Sequence, residues 1–135
     1  MRVVADSQAI LWYLTAPQRL SEKALRWLDD AVQDEGITVS AVSVPELWMA
    51  ATRKRGARAV PRTEYELVRD TLLDRTFAID IEYLSPLLWP YFEEASTRIK
   101  DPFDALIVAT ALELSAPLVS ADDAINGADL VQVVW

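Results

Sequence analysis

The sequence predicts an α/β fold with a central, mostly parallel sheet of about five short strands. Three observations predict it. The strand candidates are apolar runs without polar alternation, as in a sheet covered on both faces. Between them lie segments with apolar residues at helical spacing. No repeat, linker or low-complexity tract interrupts the 135 residues, so residues 1–135 read as one domain with enough chain to bury a core.

The elements follow in order. Arg2–Ala5 is a short apolar strand, and Ser7–Leu14 a helix with Ile10, Leu11 and Leu14 on one side. Ser21–Gln33 is a second helix, capped by Ser21, with Ala24, Leu25, Leu28 and Val32 on one face. Gly36 ends it before a strand at Ile37–Ser40. Ser43–Lys54 is the third helix, closed near Gly56, and Thr63–Leu73 the fourth, with Leu67, Val68 and Leu72 inward. A strand at Phe77–Ile81 precedes a fifth helix, Pro86–Ile99, whose two prolines fit only its first turns. Pro102–Leu114 is a strongly apolar sixth helix. Pro117–Ser120 is a strand, Asp122–Asn126 a helical turn and Val131–Val134 the last strand. Spacing leaves the strand order open.

Composition narrows the chemistry. The chain has no cysteine and no histidine. That excludes disulfides, thiolate zinc sites, Ser-His-Asp triads and imidazole ligands. Catalysis must then run on carboxylates, hydroxyls, Lys, Arg, Tyr or a bound cofactor. No apolar run is long enough to cross a membrane, and the opening residues do not read as a signal peptide; a cytoplasmic protein is expected. The formal charge of −8 runs against the basic footprint usual in nucleic-acid binders. Either the acids are concentrated where they hold divalent cations, or the chain does not bind nucleic acid.

The acids fall in a pattern. In open α/β sheets ligands bind outside the carboxyl ends of the strands. Asp6 ends the first strand, Glu46 lies in the first turn after the second, Asp101 and Asp104 open the sixth helix, and Asp122 follows the fourth strand. All land on one edge of the expected sheet. Their oxygens suit Mg²⁺ or Mn²⁺, and a cation relieves the repulsion among them. Each acid but one also has a local role available. Ser43-Val-Pro-Glu46 reads as a capping box, and Asp101-Pro-Phe-Asp104 and Ser120-Ala-Asp-Asp123 as variants. Asp6 shows no such role.

These residues resemble the motifs of the PIN-domain nuclease family, in particular its VapC-type toxins, over essentially the whole chain. VVADSQAILWYL resembles the first motif and SAVSVPELWMAATRKRG the second. KDPFDALIVATALELSAPLVSADDAI resembles the third and fourth, and VQVVW the usual last strand. The resemblance implies a three-layer α/β/α PIN fold and Mg²⁺- or Mn²⁺-dependent endonucleolytic cleavage of RNA. It implies an RNA substrate, a cognate VapB-type antitoxin that blocks the site, and a homodimer. Asp6, Glu46, Asp104 and Asp122 match the acidic quartet, Asp101 matches the motif of the subgroup, and Ser120 its hydroxyl position. Ser7 follows the first acid, and Asp123 competes with Asp122 for the fourth position. Gln8 and Lys100 stand where close relatives often carry histidine.

The implied mechanism is metal-assisted phosphodiester hydrolysis. Asp6, Asp104 and Asp122 would be ligands, and Glu46 would orient or deprotonate the attacking water. Arg53, Lys54, Arg55, Arg58 and Arg62 form a basic cluster able to contact phosphates, or simply to complement a helix C-terminus. Lys100 is a further candidate contact. Trp12 and Trp48 sit at helical spacing beside core residues and are assigned to packing or a subunit interface. The competing reading is a PIN-fold binding or scaffold module with little or no activity.

Overall fold

The computed structural model describes residues 1–53 and 59–135. Five strands form one parallel sheet: β1 Val3–Ala5, β2 Ile37–Ser40, β3 Ile79–Glu82, β4 Leu118–Val119 and β5 Val133–Val134. Their order is β3-β2-β1-β4-β5, so the first strand lies in the middle. Val4 pairs with Thr38 on one side and Leu118 on the other.

Among the described residues seven helices cover the sheet: α1 Ser7–Thr15, α2 Glu22–Val32, α3 Ser43–Thr52, α4 Arg62–Leu73, α5 Trp89–Ser96, α6 Pro102–Leu114 and α7 Asp123–Ala128. Strand side chains alternate between two cores. Val3, Ala5, Ile37 and Val39 pack with Ala9, Ile10 and Leu11 of α1, Ala24, Leu28 and Ala31 of α2, Leu47 of α3 and Val68 and Leu72 of α4. Val4 and Leu118 pack on the other face with Ala95 of α5, Ala105, Ile107, Val108 and Ala111 of α6 and Ile125 of α7. This is the expected three-layer α/β/α arrangement. Helix α6 buries six of its residues, from Ala105 and Ile107 through Ala111, which explains its nearly uniform apolarity.

Several expected boundaries move for physical reasons. The fifth helix does not run from Pro86 to Ile99: a 3₁₀ turn at Pro86–Leu88 precedes α5, and Pro90 falls in the first turn of the restarted helix. The strand expected at Phe77 begins at Ile79, leaving Phe77 exposed. Leu67 does not face inward but is 50% exposed. Tyr65, Val68 and Leu72 form the buried stripe instead. A 3₁₀ turn at Pro17–Arg19 was not foreseen. Helix α3 ends at Thr52; Lys54, Arg55, Gly56 and Arg58, including the expected helix stop and part of the basic cluster, lie outside the described residues. Gly36 does turn the chain from α2 into β2, at φ +94°, and a Cβ there would stand 3.0 Å from the Ala78 carbonyl oxygen. That combination requires glycine.

Candidate acidic active site

The carboxyl edge of the sheet opens into a cleft of about 270 Å³. Asp6, Glu46, Asp101, Asp104 and Asp122 all line it, with Ser7 and Gln8. Acids from four separate stretches of chain meet because β1, β2 and β4 are neighbours and the first turns of α1, α3, α6 and α7 start at the same edge.

Helix capping holds most of these acids in place. Asp6 is the N-cap of α1, accepting from the Ala9 amide at 2.7 Å. This corrects the expectation that Asp6 has no capping role. Asp101 caps α6, accepting from the amides of Phe103 at 2.8 Å and Asp104 at 3.3 Å. Asp122, not Ser120, caps α7, accepting from the Ile125 amide at 3.0 Å. All these bonds fall on Oδ1, whereas a carboxylate has about four lone-pair sites over two oxygens. Capping therefore leaves ligand capacity.

The capping box expected at Ser43–Glu46 does not form. Helix α3 starts a residue earlier, with Val42 at the cap and no side-chain capping bond. Ser43 is buried and accepts from the Ser7 hydroxyl at 2.8 Å, tying the start of α3 to the start of α1. The buried Ser120 hydroxyl accepts from the Asp122 amide at 3.1 Å and also bonds Asp6. The two hydroxyl positions thus brace the acids.

The electrostatics are those of crowded carboxylates. Burial pushes the Asp6 pKa up to about 6; Glu46 and Asp122 add to the rise, and the bonds from Ser120 and the Ala9 amide oppose it. Burial also raises Asp104 to about 7, with Asp122, Asp101, Glu46 and Asp6 all contributing repulsion. Asp104 therefore feels each of the other four acids. Oxygens of Glu46, Asp101 and Asp104 lie within 4.8 Å of one another. An all-carboxylate set at this spacing fits a hard divalent cation.

The remaining candidates divide. Asp123 is exposed and lines a separate cavity, not the acidic cleft. Arg53 is the one cation among the described residues lining the cleft. Lys100 is exposed and does not line it. Arg62 packs over the Trp48 ring at 4.7 Å and pairs with Glu66 at 3.5 Å. Trp48 in turn packs on Tyr65, and Trp12 on Trp135, with ring centroids 5.3 and 5.9 Å apart. Sequence reasoning missed the apolar wall of the cleft: Leu11, Leu47, Met49, Ala50, Phe103 and Ile107. Its signal was present, since Ser7/Leu11, Glu46/Met49/Ala50/Arg53 and Phe103/Ile107 share helical spacing.

Comparison with known proteins agrees with the fold. The chain is similar in structure to VapBC2 from Rickettsia felis bound to a DNA fragment from its promoter, with a TM-score of 0.70, 14% identity, and 98% of this chain and 97% of that chain covered. It is similar to Mycobacterium tuberculosis VapC20, a toxin that cleaves the sarcin–ricin loop (TM-score 0.66, 15% identity, 98% and 99% covered). It is also similar to FitAcB from Neisseria gonorrhoeae (TM-score 0.61, 20% identity, 98% and 96% covered). No curated protein sequence matches the chain. The family model for the PIN domain matches residues 3–129. With that match over nearly its whole length, the chain belongs to the PIN domain family.

Proposed function

We propose that the chain is a single PIN domain acting as a Mg²⁺- or Mn²⁺-dependent endoribonuclease, the toxin of a toxin–antitoxin pair. The observation that carries this is the meeting of five carboxylates from separate elements, with oxygens of Glu46, Asp101 and Asp104 within 4.8 Å. Such crowding is costly without a cation, and structural caps alone do not require the caps to converge. The similar structures from toxin–antitoxin systems, one of them an RNA-cleaving toxin, support the same reading.

Asp104 is central, because it is coupled to every other acid. Asp6, Asp104 and Asp122 would hold the metal, with Asp101 lining the same cleft. Glu46 would orient the attacking water or accept its proton. A bound divalent ion lowers the pKa of water and neutralises phosphoryl oxygens. Ser120 positions Asp6, and Ser7 and Ser43 position the first turns of α1 and α3. Arg53 stands at the cleft to meet a phosphate.

The partners follow from the same surface. A cognate antitoxin of the VapB type would cover the cleft, whose apolar wall suits a protein segment. A homodimer in the cytoplasm completes the proposal; among the described residues no helix is long and apolar enough to cross a membrane. The decisive experiment is RNA cleavage with Mg²⁺ or Mn²⁺ by the unmodified chain and by Asp6→Asn and Asp104→Asn. Cleavage by the first and its loss in the variants is expected; undiminished cleavage by both variants would refute the site.

A further inference from the structure

A second cavity, of about 200 Å³, lies beside the acidic cleft and shares with it the loop after β4. That volume is ample for one planar base. Ser120, Ala121, Asp123, Asn126, Val133 and Trp135 line it. Because β5 runs parallel to β4, Trp135 emerges at the same edge as the acids. The Ser120 amide donates to the Val134 carbonyl at 3.2 Å, fixing the loop to the strand that carries Trp135.

Trp135 is held in place and still available. Its ring packs on Trp12 at 5.9 Å, and the Arg19 guanidinium sits 5.2 Å from the Trp12 ring. It remains 36% exposed. Asp123 and Asn126 are exposed, one helical step apart on α7, and among the described residues neither side chain has a hydrogen-bond partner.

A fixed aromatic plate beside unpaired polar groups is what single-stranded nucleobases use: stacking on the face, hydrogen bonds at the edge. The polar groups select among bases. An ionised carboxylate only accepts, through two oxygens. Guanine alone presents two adjacent donors on its Watson–Crick edge, N1–H and the exocyclic N2 amine. Adenine, cytosine and uracil each place an acceptor next to their one donor group there, setting that acceptor against the carboxylate. We propose that this cavity is a guanine subsite, with Trp135 stacking on the base and Asp123 reading N1–H and N2–H, that selects the nucleotide beside the scissile phosphate. Asn126 supplies a further donor from α7. The inference rests on the nuclease reading above for its place beside a scissile bond.

The test is binding, read on the Trp135 indole N–H resonance, which Trp135→Phe assigns. The intact chain is titrated with GMP, AMP, CMP and UMP. GMP is expected to move the resonance and to bind at least tenfold more tightly than the other three. Asp123→Asn should abolish the preference; in calorimetric titration, which needs no indole at position 135, Trp135→Ala should weaken all four alike while Trp135→Phe retains binding. An unmoved Trp135 resonance, or equal affinity for all four nucleotides, overturns the subsite. GMP preference in a chain that cleaves no RNA would sustain the subsite and remove the nuclease reading. RNA cleavage by a chain without the preference would do the reverse.

Discussion

Asp6→Asn is expected to stabilise the metal-free protein at neutral pH while destroying its activity. The carboxyl group is 7% exposed, and burial raises its pKa from 3.8 to about 6. A raised carboxyl pKa means that the folded state binds the proton more tightly than the unfolded chain does. Below about pH 4 both states hold it and the group costs nothing. The cost grows between about pH 4 and 6 and is constant above that window. Two pKa units at ~1.36 kcal/mol each come to about 3 kcal/mol. At roughly 4 °C per kcal/mol for a domain this size, the gain in Tm is about 12 °C. Asparagine caps helices as well as aspartate does, so the bond to the Ala9 amide survives, while the Ser120 hydroxyl must turn to accept from the new amide group. The assay is thermal or urea unfolding in EDTA, for both proteins, from pH 4 to 8. A gain that appears only above about pH 5 supports the electrostatic account. An Asn variant no more stable than the parent at pH 8, or a difference that does not change with pH, would refute it.

Three other outcomes are expected. Mn²⁺ at millimolar concentration should raise the Tm at pH 8, and the rise should shrink by pH 5.5 as Asp104 and Asp6, titrating at about 7 and about 6, take up protons in competition with metal; calorimetric titration at the two pH values checks this. Ser43→Ala should cost about 1–3 kcal/mol by leaving the buried Ser7 hydroxyl without its partner, and the double variant Ser7→Ala/Ser43→Ala should recover part of that loss in urea unfolding. Gly36→Ala should destabilise by roughly 1–3 kcal/mol, because alanine meets both a positive φ and the Ala78 carbonyl oxygen at 3.0 Å; the urea midpoint reads it directly.

Local pattern made much of the molecule legible. The apolar runs marked all five strands, and Asp101-Pro102 marked the start of α6 because capping and proline preference are properties of neighbouring residues. The convergence of the acids followed from one topological rule applied to strand ends. What was hidden depends on distant partners. The order β3-β2-β1-β4-β5 is set by packing across the whole chain and leaves no trace in spacing. Ser43 looked like a cap, but its hydroxyl meets Ser7, 36 residues away, and it is itself the first residue of the helix. Asp6 was misread the other way. The capping-box signature wants Glu or Gln three residues on, and Ala9 offers only its backbone amide. Leu67 fits the helical period almost as well as Tyr65, and only packing against α1 and α3 decides which turns inward.

The doubling of caps as site carboxylates has a consequence for how occupancy can be observed. The amides of Ala9, Phe103 and Ile125 each donate to an oxygen of a carboxylate that faces the cleft. A cation drawing on those carboxylates changes the electron density that the amides meet, without touching the backbone. Three helix starts thereby become spectators wired to the centre. Their chemical shifts and exchange rates register filling, emptying and protonation, even in a protein whose chemistry has been switched off.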